Sequence, residues 1–279
     1  MPASRIYDVI VVGAGDTALC AAISASENGA NVLVLEKASI NERGGNSLFT
    51  AGGFRFAHGG LADIRRDILV DLSAAEADRT VLPPFTVGIY TDDLMRVIEY
   101  QSYGLLGELL VGRSRDTMVW MQSHGVRFIP MLLRQSYLVN RKHHFYGGLS
   151  VETVGGGLGL VDALLKGAAA PEIEIRYEAS ARHLLQDRRD AITGVTVMGP
   201  DGYSEVKRKR GRARLRRVRG QSRDAQPLSR TGVGAMPGPR HPPQHRRRYP
   251  ACTRDWCAVV RRLVYLSRRR PVHQRATAR

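Results

Sequence analysis

The sequence predicts an α/β fold with a doubly wound parallel sheet, followed by a basic C-terminal segment that lies outside the sheet. Three observations support this prediction. A strand, a glycine-rich turn, a helix and a second strand open the chain. Further short apolar strands and helical segments follow up to residue 206, among them a mainly helical stretch over residues 93–124 and a hairpin with its turn at Gly199–Gly202. Residues 41–60 are predicted as a glycine-rich loop, and the composition changes abruptly near residue 207. Alternating strands and helices are typical of a sheet that helices cover on both faces.

The first of these observations is a βαβ unit of about 30 residues. Val9–Val12 is β-branched throughout and leads into a glycine, which indicates a buried strand. The segment TALCAAISASE has helical composition, and Gly29 stands where a glycine commonly ends a helix. The segment NVLVLEK then predicts a second buried strand.

The turn between the first strand and the helix carries a dinucleotide-binding pattern. Gly13, Gly15 and Ala18 match G-x-G-x-x-G/A, in which the first glycine permits the tight turn and the second lets the backbone approach a pyrophosphate. Glu36 ends the next strand, 21 residues after Gly15, where an acid accepts hydrogen bonds from ribose hydroxyls. This order of elements favours a Rossmann-like dinucleotide site over a glycine turn without a ligand. NAD and FAD share the pattern, so it does not choose between them.

The stretch Glu42–His58, which contains a second glycine-rich segment over Gly44–Gly53, distinguishes the two dinucleotides. In it, RGGNS (Arg43–Ser47) precedes the small residues Ala51–Gly53. Together with Glu36–Lys37, this order resembles the FAD-binding flavoprotein family of fumarate reductases, succinate dehydrogenases and ketosteroid dehydrogenases. The ALCAA helix, the RGGNS loop and an Arg-x-x-His motif are most similar to the FAD-dependent tricarballylate dehydrogenase branch. The resemblance extends over residues 5–206.

The resemblance implies an incomplete, GR2-type FAD-binding domain in residues 1–206, with FAD as its cofactor. Asn46 and Ser47 would bring donors to the pyrophosphate, and the small residues that follow would let the backbone lie against the isoalloxazine. The full set of expected FAD-contacting residues is Gly13, Ala14, Gly15, Thr17, Ala18, Glu36, Lys37, Gly44, Gly45, Asn46, Ser47, Gly52 and Gly53.

The family acts on carboxylate-bearing substrates, so the resemblance also makes Arg55 and His58 candidate substrate-binding residues. Solvated loop residues are the alternative. Arg141–His144 is as easily a solvated charge run as part of a site. Gly155–Gly157, before an apolar helix, either borders the flavin or forms a plain loop. No metal cluster and no catalytic acid or base is identified, and in the family the acid–base residue usually lies beyond the part resembled here.

The C-terminal segment differs from the rest in charge. Residues 207–279 hold 23 of the 42 lysines and arginines against two acids, a net charge of +21, whereas residues 1–206 hold 19 bases and 24 acids, a net charge of −5. Residues 207–279 also lack Glu, Asn, Ile and Phe. One interpretation is a disordered basic arm that binds nucleic acid through phosphates, although aromatic residues for base stacking are few and late.

The other interpretation is the family's own sequence read one base out of frame. Under such an offset each pair of neighbouring residues constrains one original residue; Asp224–Ala225, for example, permits only methionine or threonine. With permitted codons throughout, Arg210–Thr231 re-reads as AVVLACGGFEANPEMRSRYLG, and Gly238–Pro250 re-reads as VRGTRHNTGDGI. Both strings resemble what the family has at this point. The sequence therefore predicts a chain truncated relative to the family, with an aberrant, disordered Arg-rich tail over residues 207–279.

Together these observations predict an FAD-dependent oxidoreductase that moves a hydride between flavin N5 and a carbon beside a carboxylate, with tricarballylate or fumarate/succinate as substrate. This fragment itself is expected to be inactive. The expected partners are the small carboxylate and an electron-acceptor or electron-donor protein, with no specific nucleic acid and no membrane span. The N-terminus has no long apolar run before a cleavage site, which favours the cytoplasm.

Overall fold

The structure, a computed structural model, describes residues 6–101, 104–188 and 191–207. The chain divides into two compact units, Met1–Gln221 and Ser222–Arg279, and every described residue lies in the first. The predicted Arg-rich tail, apart from Lys207, falls outside the described residues.

Strands and helices alternate along the described chain. Its first part contains β1 (Val9–Val12), α1 (Asp16–Glu27), β2 (Val32–Leu35), a 3-10 turn (Gly45–Phe49), β3 (Gly53–Arg55), α2 (Leu61–Asp67), α3 (Ala74–Asp78), β4 (Thr80–Val81) and α4 (Val87–Val97). The second part contains α5 (Gly104–Ser123), β5 (Phe128–Pro130), α6 (Leu132–Gln135), β6 (Ser136–Val139), β7 (Lys142–Phe145), β8 (Leu149–Thr153), α7 (Gly156–Gly167), β9 (Ile173–Arg176), β10 (Ser180–Gln186), β11 (Ile192–Gly199) and β12 (Gly202–Lys207).

The predicted βαβ unit is confirmed, and it forms the centre of the fold. β1 and β2 pair in parallel, with Val9 opposite Val32, and β9 adds to the other side of β2. All four residues of β2 are buried because the strand is covered on both faces, which explains its uninterrupted apolar sequence. α1 ends as predicted, since Gly29 takes a left-handed φ of 78° just beyond its last turn.

Alternate residues of the parallel sheet point into two separate cores. Val11 and Val34 pack on the side of α1 and α7, together with Leu19 and Leu164. Ile10, Leu33 and Leu35 point the other way and pack against Val195, Val197 and Val206 of the antiparallel meander β10–β11–β12. The parallel sheet is therefore sandwiched between helices on one face and the meander on the other, an α/β arrangement.

Two further three-stranded sheets lie outside the parallel one. β8 is central in the first, pairing with β3 and β5, and Phe54 meets Phe128 edge to face at 5.8 Å. β7 is central in the second, between β4 and β6. β8 leads directly into α7, so the first of these sheets positions the start of that helix.

Several sequence-based boundaries differ from the structure. The segment 41–60, predicted as loop, contains the 3-10 turn and β3, because backbone pairing with β8 organises it from a distance. The helix predicted over residues 93–124 is two helices, and the first begins earlier because Thr86 caps it by accepting from Ile89 N. The predicted hairpin with its turn at Gly199–Gly202 is confirmed as β11 and β12. None of the helices within residues 6–101, 104–188 and 191–207 combines the length and apolar character needed to cross a bilayer.

Candidate FAD site

The glycine turn after β1 leaves room for a ligand to approach the backbone. Gly13 takes a φ of 96°, which favours glycine, and its amide donates to Leu35 O at 2.8 Å. Gly15 caps α1 in an extended conformation, and a Cβ there would lie 3.2 Å from Ser47 Oγ. The turn therefore reaches the end of β2 on one side and the second glycine-rich segment on the other.

Glu36 points at this turn. Its side chain is buried, 6% exposed, and Oε2 accepts from Ala14 N at 2.6 Å while Oε1 accepts from Ala38 N at 2.9 Å. Two backbone amides thus compensate for burying the carboxylate. Each carboxylate oxygen has a second lone pair, so Glu36 retains acceptor capacity for the hydroxyls of a ribose. Lys37, the next residue, is exposed.

Ser47 meets the N-terminus of α1. Asp16 N donates to Ser47 Oγ at 3.1 Å, and the Ser47 hydroxyl donates to Asp16 Oδ1 at 2.8 Å. Asp16 also accepts from Thr17 N at 2.7 Å, whereas Ala18 faces the core. The amides of a helix N-terminus attract anions, so Ser47 lies beside the position suited to a pyrophosphate.

Asp16 is not among the FAD-contacting residues predicted from the sequence. The signal was present, because Asp16 is the first residue after the second glycine of the pattern and opens the helix. Its carboxylate introduces a negative charge at the same helix end that would receive an anionic ligand. The bond to Ser47 and the bond to Thr17 N hold that charge in place.

The second glycine-rich segment runs from Gly44 to Gly53 and contains the 3-10 turn. Gly44 has a φ of 96°, and a Cβ there would lie 3.0 Å from Val161 Cγ1 of α7. Gly45 and Asn46 are exposed, as is Gly53, while Gly52 is buried with a φ of 68°. The segment therefore packs against α7 on one side and is exposed to solvent on the other.

The three glycines Gly155–Gly157 do not form a plain loop. Gly155 and Gly156 have φ values of 78° and 61°, and Gly156 and Gly157 belong to the first turn of α7. Gly157 N donates to Thr50 O at 2.9 Å, and a Cβ on Gly157 would overlap the carbonyl of Ser47. These glycines contact the second glycine-rich segment from behind.

His58, a predicted substrate residue, lies in the interior at 4% exposure. Its Nδ1 accepts from Gly60 N at 3.2 Å, so Nε2 carries the proton and donates to Ser150 Oγ at 3.3 Å. Burial lowers the pKa of His58 to about 4, with Asp63 acting in the opposite direction. His58 is therefore a neutral, internally bonded imidazole and not a solvated loop residue.

Arg55, the other predicted substrate residue, lies near the surface. Its guanidinium donates to Asp93 at 2.9 Å and stands 5.6 Å from the centre of the Phe85 ring. Asp93 also binds Arg96, so Arg55 shares its counterion with a second arginine. The role of both residues in binding substrate stays a prediction.

The charge run Arg141–His144 belongs to a hairpin that the sequence did not predict. Asn140 and Arg141 have φ values of 49° and 62°, the pattern of a two-residue turn between antiparallel strands, here β6 and β7. His143 Nδ1 lies 3.0 Å from Ser136 Oγ, and His144 stacks on Tyr137. Among the described residues, no group of three or more His, Cys, Asp or Glu side chains is placed to hold a metal ion.

Comparisons with known proteins agree with this geometry. The model of the family described as FAD binding domain matches residues 8–241, a range that continues past the last described residue. The chain is 28% identical over 203 residues to the fumarate reductase (cytochrome) of Shewanella frigidimarina, covering 72% of this chain and 31% of that protein. It is 27% identical over 194 residues to the vinyl phenol reductase of Lactiplantibacillus plantarum, covering 68% and 33%.

Solved structures show the same likeness. The open conformation of a flavocytochrome c3 fumarate reductase matches with a TM-score of 0.54 and 26% identity, over 75% of this chain and 33% of that one. The 3-ketosteroid-delta4-(5alpha)-dehydrogenase of Rhodococcus jostii RHA1 matches with a TM-score of 0.55 and 18% identity, over 74% and 45%, and shares the fold.

This chain therefore spans about a third of the length of the curated relatives it matches. The family match covers most of the chain, and it agrees with a parallel sheet whose glycine turn, Glu36 and Ser47 converge. The chain belongs to the FAD binding domain family, whose cofactor is FAD.

Proposed function

We propose that this chain is the N-terminal part of the FAD-binding domain of an FAD-dependent oxidoreductase that acts on a carboxylate-bearing substrate. The observation that carries the proposal is the meeting of two side chains across one glycine turn. Glu36 reaches the amide of Ala14 from β2, and Ser47 reaches the amide of Asp16 from the second glycine-rich segment.

The residues present fit the adenosine diphosphate half of FAD. In the proposed arrangement Glu36 binds the ribose hydroxyls, and the amides that open α1 bind the pyrophosphate with the help of the Ser47 hydroxyl. Gly15 keeps the approach open, since any side chain there would crowd Ser47. The segment Thr50–Gly53 would then face the isoalloxazine, and Asn46, exposed beside it, would add a donor.

FAD supplies a hydride acceptor or donor at N5, and the protein orients it. The substrate class is inferred from the relatives: two Shewanella frigidimarina proteins similar to this chain are named fumarate reductase (cytochrome) and probable fumarate reductase Ifc3. Tricarballylate or fumarate/succinate is the proposed substrate, with an electron-carrier protein as partner. Arg55 ends β3, just beyond the segment proposed to face the flavin. Its guanidinium is proposed to attract the carboxylate of the substrate.

The alternative of a nucleic-acid-binding protein has less support. The relatives and structures named above are reductases and dehydrogenases. The acidic balance of residues 1–206 also disfavours a nucleic-acid-binding surface there, so only the basic tail would serve. The cytoplasmic location stays a prediction.

We further propose that the basic tail is a shifted reading frame and that the 279-residue chain has no turnover. A substrate must be oriented and shielded from water for efficient hydride transfer, and the chain spans only a third of relatives that carry out such reactions. Sequencing the gene around codons 200–215 tests the cause: a longer frame resuming AVVLACGGFEAN is expected. Turnover of a tricarboxylate by the 279-residue chain would contradict the proposal.

Binding measurements on the purified chain test the assignment of the cofactor. Titration with FAD, ADP and NAD is expected to show saturable binding of FAD and ADP. Glu36→Gln is expected to lower both affinities about tenfold or more, because a charged acceptor becomes a neutral one. Glu42→Gln, at an exposed position just before the second glycine-rich segment, is the matched control and is expected to bind like the unmodified chain. Binding of NAD with rejection of FAD, or equal affinities in both variants, would contradict the assignment.

A further inference from the structure

The second glycine-rich segment turns into β3 at Gly52, where its backbone bonds the end of β8. Gly52 holds a φ of 68° there, and its carbonyl accepts from Thr153 N at 2.9 Å. Thr153 is the last residue of β8 and is 2% exposed. The anchoring contacts are therefore made from the opposite strand.

The hydroxyl of Thr153 lies between Gly52 and Gly156, two glycines with left-handed backbone. It donates to Gly156 O at 2.7 Å, across the turn in which Gly155 and Gly156 both have positive φ. A Cβ on Gly52 would overlap the same hydroxyl and would lie 2.9 Å from the carbonyl carbon of Gly156. One side chain thus sets the spacing between the end of β8, the start of α7 and Gly52.

This arrangement reaches the nucleotide site through a continuous chain of hydrogen bonds. Gly157 N, next to the carbonyl that Thr153 holds, donates to Thr50 O at 2.9 Å. The Thr50 hydroxyl donates to Ser47 O at 2.9 Å, and Ser47 Oγ bonds Asp16 at the opening of α1.

We infer that Thr153 is a positioning residue for the flavin-facing segment Thr50–Gly53, acting through Gly156 and Gly157 without touching the cofactor. The inference rests on the proposed function, since it takes that segment to face the isoalloxazine. The adenosine end of the site, formed by Gly13–Gly15 and Glu36, makes its own contacts with β2. Loss of the Thr153 hydroxyl should therefore affect the two halves of FAD differently.

The test compares FAD with ADP, which shares only the adenosine diphosphate half. In the full 279-residue chain, Thr153→Val keeps the shape of the side chain and removes the hydroxyl that bonds Gly156 O. It is expected to weaken FAD binding about tenfold, because the start of α7 and the flavin-facing segment lose a bond that holds them to β8. ADP affinity is expected to change by less than about twofold, because Gly13–Gly15 and Glu36 keep their own contacts with β2 and only Ser47 is linked to Thr153. Thr153→Ser, which keeps the hydroxyl, is expected to restore FAD affinity.

A second buried threonine provides the matched control. Thr80 is 9% exposed, and its hydroxyl donates to Glu76 O at 2.8 Å, the same kind of bond in a different sheet. Thr80→Val is expected to lower the melting temperature as Thr153→Val does while leaving the ratio of FAD to ADP affinity unchanged. Equal loss of FAD and ADP binding in Thr153→Val, or no loss of either, would overturn the inference. If the unmodified chain binds neither ligand, the proposed function itself fails.

Discussion

The two glycine-rich segments of this domain meet at one site but are held in different ways. The first, Gly13–Gly15, is organised by its neighbours in the βαβ unit, since Leu35 O and the Glu36 side chain bind its amides. The second, Gly44–Gly53, is organised by β8 and α7, about 100 residues later in the chain. The conformation of the first segment therefore depends on local hydrogen bonds, whereas that of the second depends on packing against residues distant in sequence.

A substitution at Gly157 is expected to have the largest effect, because it disturbs the distant packing that holds the second segment. A Cβ on Gly157 would overlap Ser47 O and approach the carbonyls of Leu48 and Thr50, and backbone atoms cannot move aside cheaply. Gly157→Val is expected to abolish FAD binding and to destabilise the fold by about 3 kcal/mol or more. Gly112→Ala, at an exposed helical position with nothing within 4 Å, should bind FAD normally and be slightly more stable. Normal FAD binding by Gly157→Val would show that α7 does not hold the second segment.

The pH dependence of stability gives a second, intermediate test. Burial lowers the pKa of His58 from 6.5 to about 4. Between pH 4 and pH 6.5, His58 therefore binds a proton in the unfolded chain but not in the folded chain. Stability is therefore complete above pH 6.5 and is lost as the pH falls towards 4, by about 3 kcal/mol at most. Urea unfolding at a series of pH values measures this loss.

The matched variants separate His58 from other titrating groups. His58→Gln should flatten the pH dependence over this range, whereas His183→Gln, at an exposed position of β10, should leave it unchanged. Because His58 follows β3 and donates to Ser150 of β8, the result reports on the packing behind the second segment. An unaltered pH profile in His58→Gln would contradict the buried neutral imidazole.

Asp16 provides the smallest expected effect and concerns the first segment. Its carboxylate lies at the helix end proposed to bind the pyrophosphate and bonds the Ser47 hydroxyl. Asp16→Asn removes a like charge from the anion site and is expected to raise FAD affinity about fivefold at low salt, with the gain shrinking as salt rises. Asp201→Asn, in the exposed turn of the meander, should have no effect. Weaker FAD binding by Asp16→Asn would mean that the carboxylate serves the site and does not oppose it.

Features held by local interactions were predictable from the sequence, whereas features held by distant packing were not. The βαβ unit and the β11–β12 hairpin were predictable because their signals are local: a β-branched run, a glycine turn, and paired strands around Gly199–Gly202. The placement of Glu36 at the turn was likewise expected from its spacing, although its role in binding FAD stays a proposal. The flavoprotein family was predicted from motif order and is confirmed by the family match.

Long-range contacts account for what the sequence did not reveal. Three consecutive glycines favour a loop, and only packing against Ser47–Thr50 explains why Gly156 and Gly157 begin a helix. The β6–β7 hairpin was missed because Arg141 takes a left-handed position where glycine is the usual signal. His58 was considered beside Arg55 as a substrate residue, and its burial depends on Phe85 and Ser150, which lie far from it in sequence.

Hydrogen–deuterium exchange of the 279-residue chain, with and without ligand, tests the central claim most directly. The claim is that one FAD molecule contacts both glycine-rich segments, its adenosine diphosphate half at the first segment and Ser47, and its flavin half at Thr50–Gly53. FAD is expected to protect amides in residues 13–19 and in residues 50–53, whereas ADP leaves residues 50–53 unprotected. Protection confined to the basic residues beyond 207, or protection of neither glycine-rich segment, would contradict the account.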